Sequence, residues 1–172
     1  LADMNMNWGH QVMYAEDGKR FESISFVDGL GRTRQTLGHN TETGQVVVSN
    51  VYYDGYGRPV LSDLPTPDDN ENMTHRLNFN HAQGASFYGN EHFDQVYIAN
   101  SPGCSFQTTP FATDAGAGKY YSPQNPDQDG ENIRIPDAQQ YPFARVEYMN
   151  DHSGRIRRVG SVGPEFQIGS GH

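Results

Sequence analysis

Residues 21 to 27, FESISFV, alternate, with Ile24 and Phe26 on one side and Ser23 and Ser25 on the other. A period of two places successive side chains on opposite faces and predicts a half-buried strand. DGLG (28–31) supplies turn residues, and RTRQTL (32–37) alternates again with Arg32, Arg34 and Thr36 sharing a side. GHNTETG (38–44) reads as a loop with glycine at both ends. QVVVSNVYY (45–53), β-branched and aromatic, reads as the next strand. After the turn DGYG (54–57) comes a returning strand, RPVLSDL (58–64). Pro59 cannot donate to a ladder, so that strand starts at an edge or beside a bulge. Four strands are thus predicted across residues 21 to 64. Loops this short favour antiparallel neighbours, because parallel pairing needs a crossover of a dozen residues or more. No helical period runs through this half.

Residues 65–142 break the pattern. Eight of the ten prolines lie there, among many Asn, Asp, Gln and Gly. So long a span without periodicity is unusual inside a compact domain and predicts an irregular insertion. Within it, QVYIA (95–99) reads as a short strand and PDAQQY (136–141) as a helical turn. Strand character returns with FARVEYM from residue 143, then the turn NDHSG, then RIRRVG. The predicted organisation is therefore β-hairpins over 1–64, an irregular Pro/Asn/Asp-rich insertion over 65–142, and a further hairpin over 143–172. The fold class is all-β, an antiparallel hairpin meander.

Composition narrows this picture. Only 34% of the 172 residues are hydrophobic, yet 12% are aromatic. Disordered chains are poor in aromatics, so turn-rich β structure fits better. The formal charge of −9 argues against a broad nucleic-acid surface, which needs clustered Lys and Arg. The one cysteine, Cys104, closes no disulfide within the chain and has no partner cysteine for a metal. No stretch approaches the roughly 20 apolar residues of a membrane-spanning helix. The chain opens on Leu1 without a recognisable signal peptide and closes on QIGSGH. It reads as a section of a longer polypeptide.

Three of the turns share a pattern. Asp28-x-x-Gly31-Arg32, Asp54-x-x-Gly57-Arg58 and Asp151-x-x-Gly154-Arg155 each fall between two predicted strands. Each follows aromatic or β-branched residues: Phe26 and Val27, Tyr52 and Tyr53, Val146 and Tyr148. Recurrence makes this an internal repeat. An Asp carboxylate accepts backbone N–H bonds within a turn. Glycine takes a positive φ at small steric cost. The Arg opens the next strand, where its stem covers ring surface and its guanidinium pairs or stacks.

On these residues the chain resembles the Rhs/YD-repeat family. YYDGYGRPV looks like the Tyr-Asp core of a YD repeat, and VDGLGRTRQT and NDHSGRIRRVG look like degenerate copies. With the flanking segments AEDGKRFESISFVDGLGRTRQT and YYDGYGRPVLSDLPTP, the chain is similar to part of a large Rhs-like surface protein of Bacteroidetes. The likeness covers about 14–64 and 143–160; the insertion departs from it, as does Phe26-Val27 where the repeat has Tyr. The resemblance implies hairpins wound into a spiralling sheet that closes as a shell or serves in adhesion. It further implies a non-enzymatic structural segment of a secreted protein, at the cell surface or outside the cell. The implied partners are flanking segments of the same polypeptide, an enclosed C-terminal toxin-like cargo or secretion machinery. No nucleic acid, membrane span or cofactor is implied.

Other chemistry is weaker. PDQDGEN (126–132) alternates Asp127, Asp129 and Glu131 as calcium loops do, but Asn132 and Ala138 fail the twelve-residue pattern. PDDNEN (67–72) is weaker still. His75, His81 and His92, with Glu91 and Asp94, lack H-E-x-x-H spacing and read as ordinary loop histidines. Cys104 would be a nucleophile only beside a histidine. Arg155 and Arg157 fall on one strand face and Arg158 on the other, which splits that basic cluster. The alternative function is an adhesin or carbohydrate-binding module using exposed aromatics, Tyr120 and Tyr121 among them. A hydrolase lacks a coherent constellation of residues.

Overall fold

The computed structural model describes residues 6–94, 108–126, 134–149, 151 and 153–170. It is predominantly antiparallel β structure, eight strands in a meander with very little helix. The chain divides into two compact units that do not follow sequence order. One comprises Leu1–Val51 and Pro65–Leu77; the other comprises Tyr52–Leu64 and Asn78–His172. The span 65–142, read from composition as one insertion, is shared between them.

The first unit contains β1 (Asn7–Tyr14), β2 (Arg20–Val27), β3 (Thr33–Asn40), most of β4 (Val46–Tyr53) and the short β6 (Thr66–Asp68). Neighbours β1 to β4 pair antiparallel in chain order, and β6 pairs with β4. The registers Ile24↔Leu37↔Val48 and Phe26↔Gln35↔Asn50 put one row of side chains beside the next on a single face. Ile24, Phe26, Leu37, Val46 and Val48 on that face are buried. The alternation seen in sequence is therefore the burial pattern of the sheet. The segment Pro65–Leu77 belongs to the same unit, and its His75 sets its ring edge-on to Phe26, centroids 5.3 Å apart.

Two differences from the sequence reading arise here. β1 was not expected: NWGHQVMY alternates weakly, and its residues stay largely exposed. The predicted loop 38–44 begins three residues later, because Gly38, His39 and Asn40 remain in β3. Gly38 pairs with Ser23 and Val47, and the Phe21 ring lies across it, so near that an added Cβ would meet the ring at 2.8 Å. An aromatic covering a strand glycine restores the packing that the missing side chain leaves out.

The second unit contains β5 (Pro59–Asp63), β7 (Phe143–Tyr148), β8 (Ile156–Gly160) and α1 (Gly116–Tyr120). β5 pairs antiparallel with β7, and β7 with β8. Its core is Val60, Leu61, Ala82, Tyr88, Phe93, Phe111, Ala117 and Phe143. Rings meet edge-on or tilted: Tyr88 with Phe111 at 4.6 Å, Phe111 with Phe143 at 4.8 Å and Tyr52 with Tyr88 at 5.5 Å. Such pairs add about 0.5–1.5 kcal/mol each beyond their buried area. Half of this core, Ala82, Tyr88, Phe93 and Phe111, comes from chain outside these strands and the helix. The helical turn expected over 136–141 is absent. Gln139 and Gln140 instead take φ of 48° and 70°, and Tyr141 N–H closes a tight turn onto Ala138. The strand expected at 95–99 lies outside the described residues.

Candidate functional site

The three repeated turns carry the most specific geometry. In the first, Asp28 Oδ1 accepts from the backbone N–H of Leu30 (3.0 Å) and of Arg32 (3.1 Å). Its Oδ2 accepts from Arg32 Nε at 2.8 Å and Arg34 Nε at 3.0 Å. The second turn repeats this almost atom for atom. Asp54 Oδ1 takes Tyr56 N–H (3.0 Å) and Arg58 N–H (2.8 Å), and Oδ2 takes Arg58 Nε (2.7 Å). In both, Asp N–H donates to the Arg carbonyl at 3.0 Å, and Gly N–H donates to the Asp carbonyl at 2.9 Å. Gly31 and Gly57 sit at φ of 76° and 79°, which a residue with a Cβ adopts only under strain. One carboxylate thus caps two amides and pins the guanidinium of the residue just before the next strand.

The third turn has the same letters and a looser weave. Asp151 Oδ1 accepts from Ser153 N–H (3.0 Å) and Ser153 hydroxyl (2.5 Å), and Oδ2 from Arg155 Nη2 (2.6 Å). The Arg155 amide is met by Ser153 Oγ at 3.2 Å rather than by the carboxylate. Gly154 keeps a positive φ of 70°. The hairpin closes between Met149 N–H and the Arg155 carbonyl at 2.8 Å.

Charge follows from these contacts. Hydrogen bonding to Arg32, then to nearby amides and Arg34, holds the Asp28 carboxyl far below the usual carboxylate range. Bonds from Ser153, then Arg155, bring Asp151 down to about 2.

The Asp54 turn is set apart by its surroundings. Its carboxylate is 6% exposed, against 43% for Asp151. Gly55 N–H donates to Asp94 Oδ2 at 2.7 Å. The Arg58 guanidinium lies 4.5 Å from the Tyr148 ring centroid and 5.2 Å from that of Tyr56. The Tyr148 hydroxyl donates to the Pro59 carbonyl at 2.8 Å.

Sequence reasoning missed four polar residues that fasten irregular chain to strands. In the first unit, buried Gln35 donates to Asn50 Oδ1 (2.8 Å) and the Arg76 carbonyl (3.0 Å), and accepts from Arg76 N–H (2.7 Å). Arg76 in turn ion-pairs with Asp68 and bonds the Thr74 and Asn70 carbonyls. In the second unit, Asn80 donates to Asp63 Oδ2 (2.6 Å) and Tyr52 Oη (3.0 Å) and accepts from Ala117 N–H (2.9 Å). Arg145, 3% exposed, reaches Thr108 Oγ1 (2.7 Å) and the Phe93 carbonyl (3.1 Å), and burial lowers its pKa. The legible signal was a polar residue in an inward-facing row, as at Gln35.

The remaining candidates disperse. His81 pairs with Asp114 at 3.1 Å, and His92 stacks on Tyr88 at 5.1 Å. Arg157 and Arg158 both reach Glu147, while Arg155 serves Asp151. Among the described residues no group of three His, Cys, Asp or Glu is placed to hold a metal, and no helix is long and apolar enough to cross a membrane. Cys104, Asp127, Asp129 and Glu131 lie outside the described residues.

Fold and turns together define a class: an antiparallel meander of strands joined by carboxylate-capped hairpins. Residues 4–104 match the family model described as Domain of unknown function (DUF6443), which takes in the Asp28 and Asp54 turns. The match spans more than half of the chain, and the chain belongs to this family. No curated protein and no solved structure matches it.

Proposed function

We propose that this chain is a non-enzymatic structural segment of a large secreted protein of the Rhs/YD-repeat kind, contributing strands to a β shell or scaffold around a toxin-like cargo. The observation that carries the reading is the near-identity of the Asp28 and Asp54 turns. Two separate hairpins use one carboxylate for the same backbone and guanidinium bonds. Repeated local geometry of this kind suits an extended array, in which each hairpin buries its faces on the next.

Electron microscopy of the full parent polypeptide tests the reading. A hollow wall of stacked hairpins that includes this segment is the expected outcome. A solitary globule on a stalk, or secretion-independent accumulation inside the cell, overturns it.

A further inference from the structure

The second unit holds a cleft of about 350 Å³, within the size range of small-ligand sites. Its walls come from two stretches, around Pro136–Gln139 and Val162–Phe166, with Leu64 and Tyr121 also lining it. They are tied by a hydrogen bond from Gly163 N–H to the Tyr141 carbonyl at 3.0 Å. The lining is mostly apolar: Pro136, Pro164, Tyr121 and Phe166 supply the larger surfaces. Phe166 is 65% exposed, which leaves its ring open to a ligand in the cleft.

Two carboxylates, Asp137 and Glu165, also line the cleft, and no Lys or Arg among the described residues does. Asp28, Asp54, Asp68, Glu147 and Asp151 each hold an arginine of the chain.

The chain also shows what such a combination accepts. At the Asp54 turn a guanidinium lies over a tyrosine ring while bonding a carboxylate. The cleft presents the same parts, aromatic face and carboxylate, without the guanidinium. A sugar would want more hydroxyl partners than these walls offer. A bare metal ion would leave the rings unused. An apolar stem ending in a planar cation uses both.

We propose that this cleft is a binding site for an arginine side chain presented by an extended peptide segment of another protein. The guanidinium sits over Phe166 and pairs with Glu165 and Asp137, while its methylenes pack on Pro136 and Pro164. The proposal goes beyond the scaffold reading and stands whether or not that reading does.

The test is a titration of the 172-residue chain with acetyl-Gly-Arg-Gly-amide, followed by amide chemical shifts. The expected result is saturable, salt-weakened shifts at Ala138 and Gly163 in the low millimolar range. The citrulline peptide, neutral and of the same shape, should bind at least about fivefold more weakly, as expected for losing two partly exposed ion pairs. Phe166→Ala should weaken the arginine peptide, and Asp137→Asn with Glu165→Gln should erase its advantage over citrulline. Asp137 Oδ1 accepts from the Gln139 amide at 2.7 Å, and Asp137→Asn keeps a side-chain oxygen for that bond, so the double variant retains the local turn. Equal binding of the citrulline peptide overturns the proposal. So do an absence of shifts at these amides and preferential binding of cellotriose or maltotriose there.

Discussion

The Asp54 and Asp151 turns share the three fixed residues of one five-position pattern but stand in different surroundings. At Asp54 the carboxylate is nearly sealed, both flanking amides are satisfied directly, and Asp94 and Tyr148 brace the loop and its arginine. At Asp151 a serine hydroxyl stands between carboxylate and amide, and both ion-pair partners face water. The Asp28 turn resembles the first in hydrogen bonding but has Arg34 where the other has aromatic rings. The difference teaches that the motif decides which bonds form, while burial decides what they contribute. An exposed ion pair is screened and adds little; a sealed one leaves an unmet polar group when broken.

That comparison can be broken at several points. The largest effect is expected at Phe93, which is fully buried, packs at 5.8 Å from Tyr52 and precedes Asp94. Phe93→Ala should destabilise by about 3–5 kcal/mol and loosen the Asp54 turn with it, read as faster hydrogen exchange at Gly55. Exchange there unchanged despite the lost stability would separate turn from core.

Next comes Asp54→Ala, which strands the amides of Tyr56 and Arg58. Urea denaturation should show a loss of roughly 2–3 kcal/mol. The same change at Asp151 should be much the smaller of the two; equal losses would mean that burial is not what matters.

Alkaline pH probes the sealed side. Burial pushes the Tyr52 and Tyr88 hydroxyls well above the ordinary tyrosine value and Tyr121 up to about 12. The folded chain keeps these protons where the unfolded chain has lost them. Their stabilising share is therefore whole below about pH 10 and falls as pH rises beyond it. Phenolate absorbance from Tyr52 and Tyr88 should appear only as the fold opens.

Acid probes the exposed side, with the smallest expected effect. Asp28 and Asp151 are lowered, so their contribution is present above about pH 4 and is lost as pH falls through the folded values, near 2 for Asp151. Asp151→Ala should flatten the stability profile between about pH 4 and pH 2 and leave it unchanged at neutrality apart from a constant offset. An unaltered acid limb would show that Asp151 does not hold its proton-linked bonds in solution.

Much of the meander was legible because period two survives in plain letters. Ile24 and Phe26 against Ser23 and Ser25 name the buried face without any structure. β1 was not legible, since an edge strand with exposed Trp8 and Tyr14 has little contrast between its faces. Gly38 read as a loop because a glycine signals a turn until the ring that covers it is known. The turns were readable as to residues and roles, including the positive φ of their glycines. The intervention of Ser153 and the role of Asp94 were not, for both depend on where a hydroxyl or a distant carboxylate falls in space.

By its letters alone the chain determined its β character, the position of its hairpins from β2 onward and the chemistry of the bend in three of them, all set by neighbours within a few residues. Tertiary structure decided how residues 78–94 and 108–126 build an aromatic core, which of three like turns is sealed, and that Arg145 lies inside. Those outcomes rest on contacts between residues tens of positions apart, and burial is a property of such contacts, which no local pattern records.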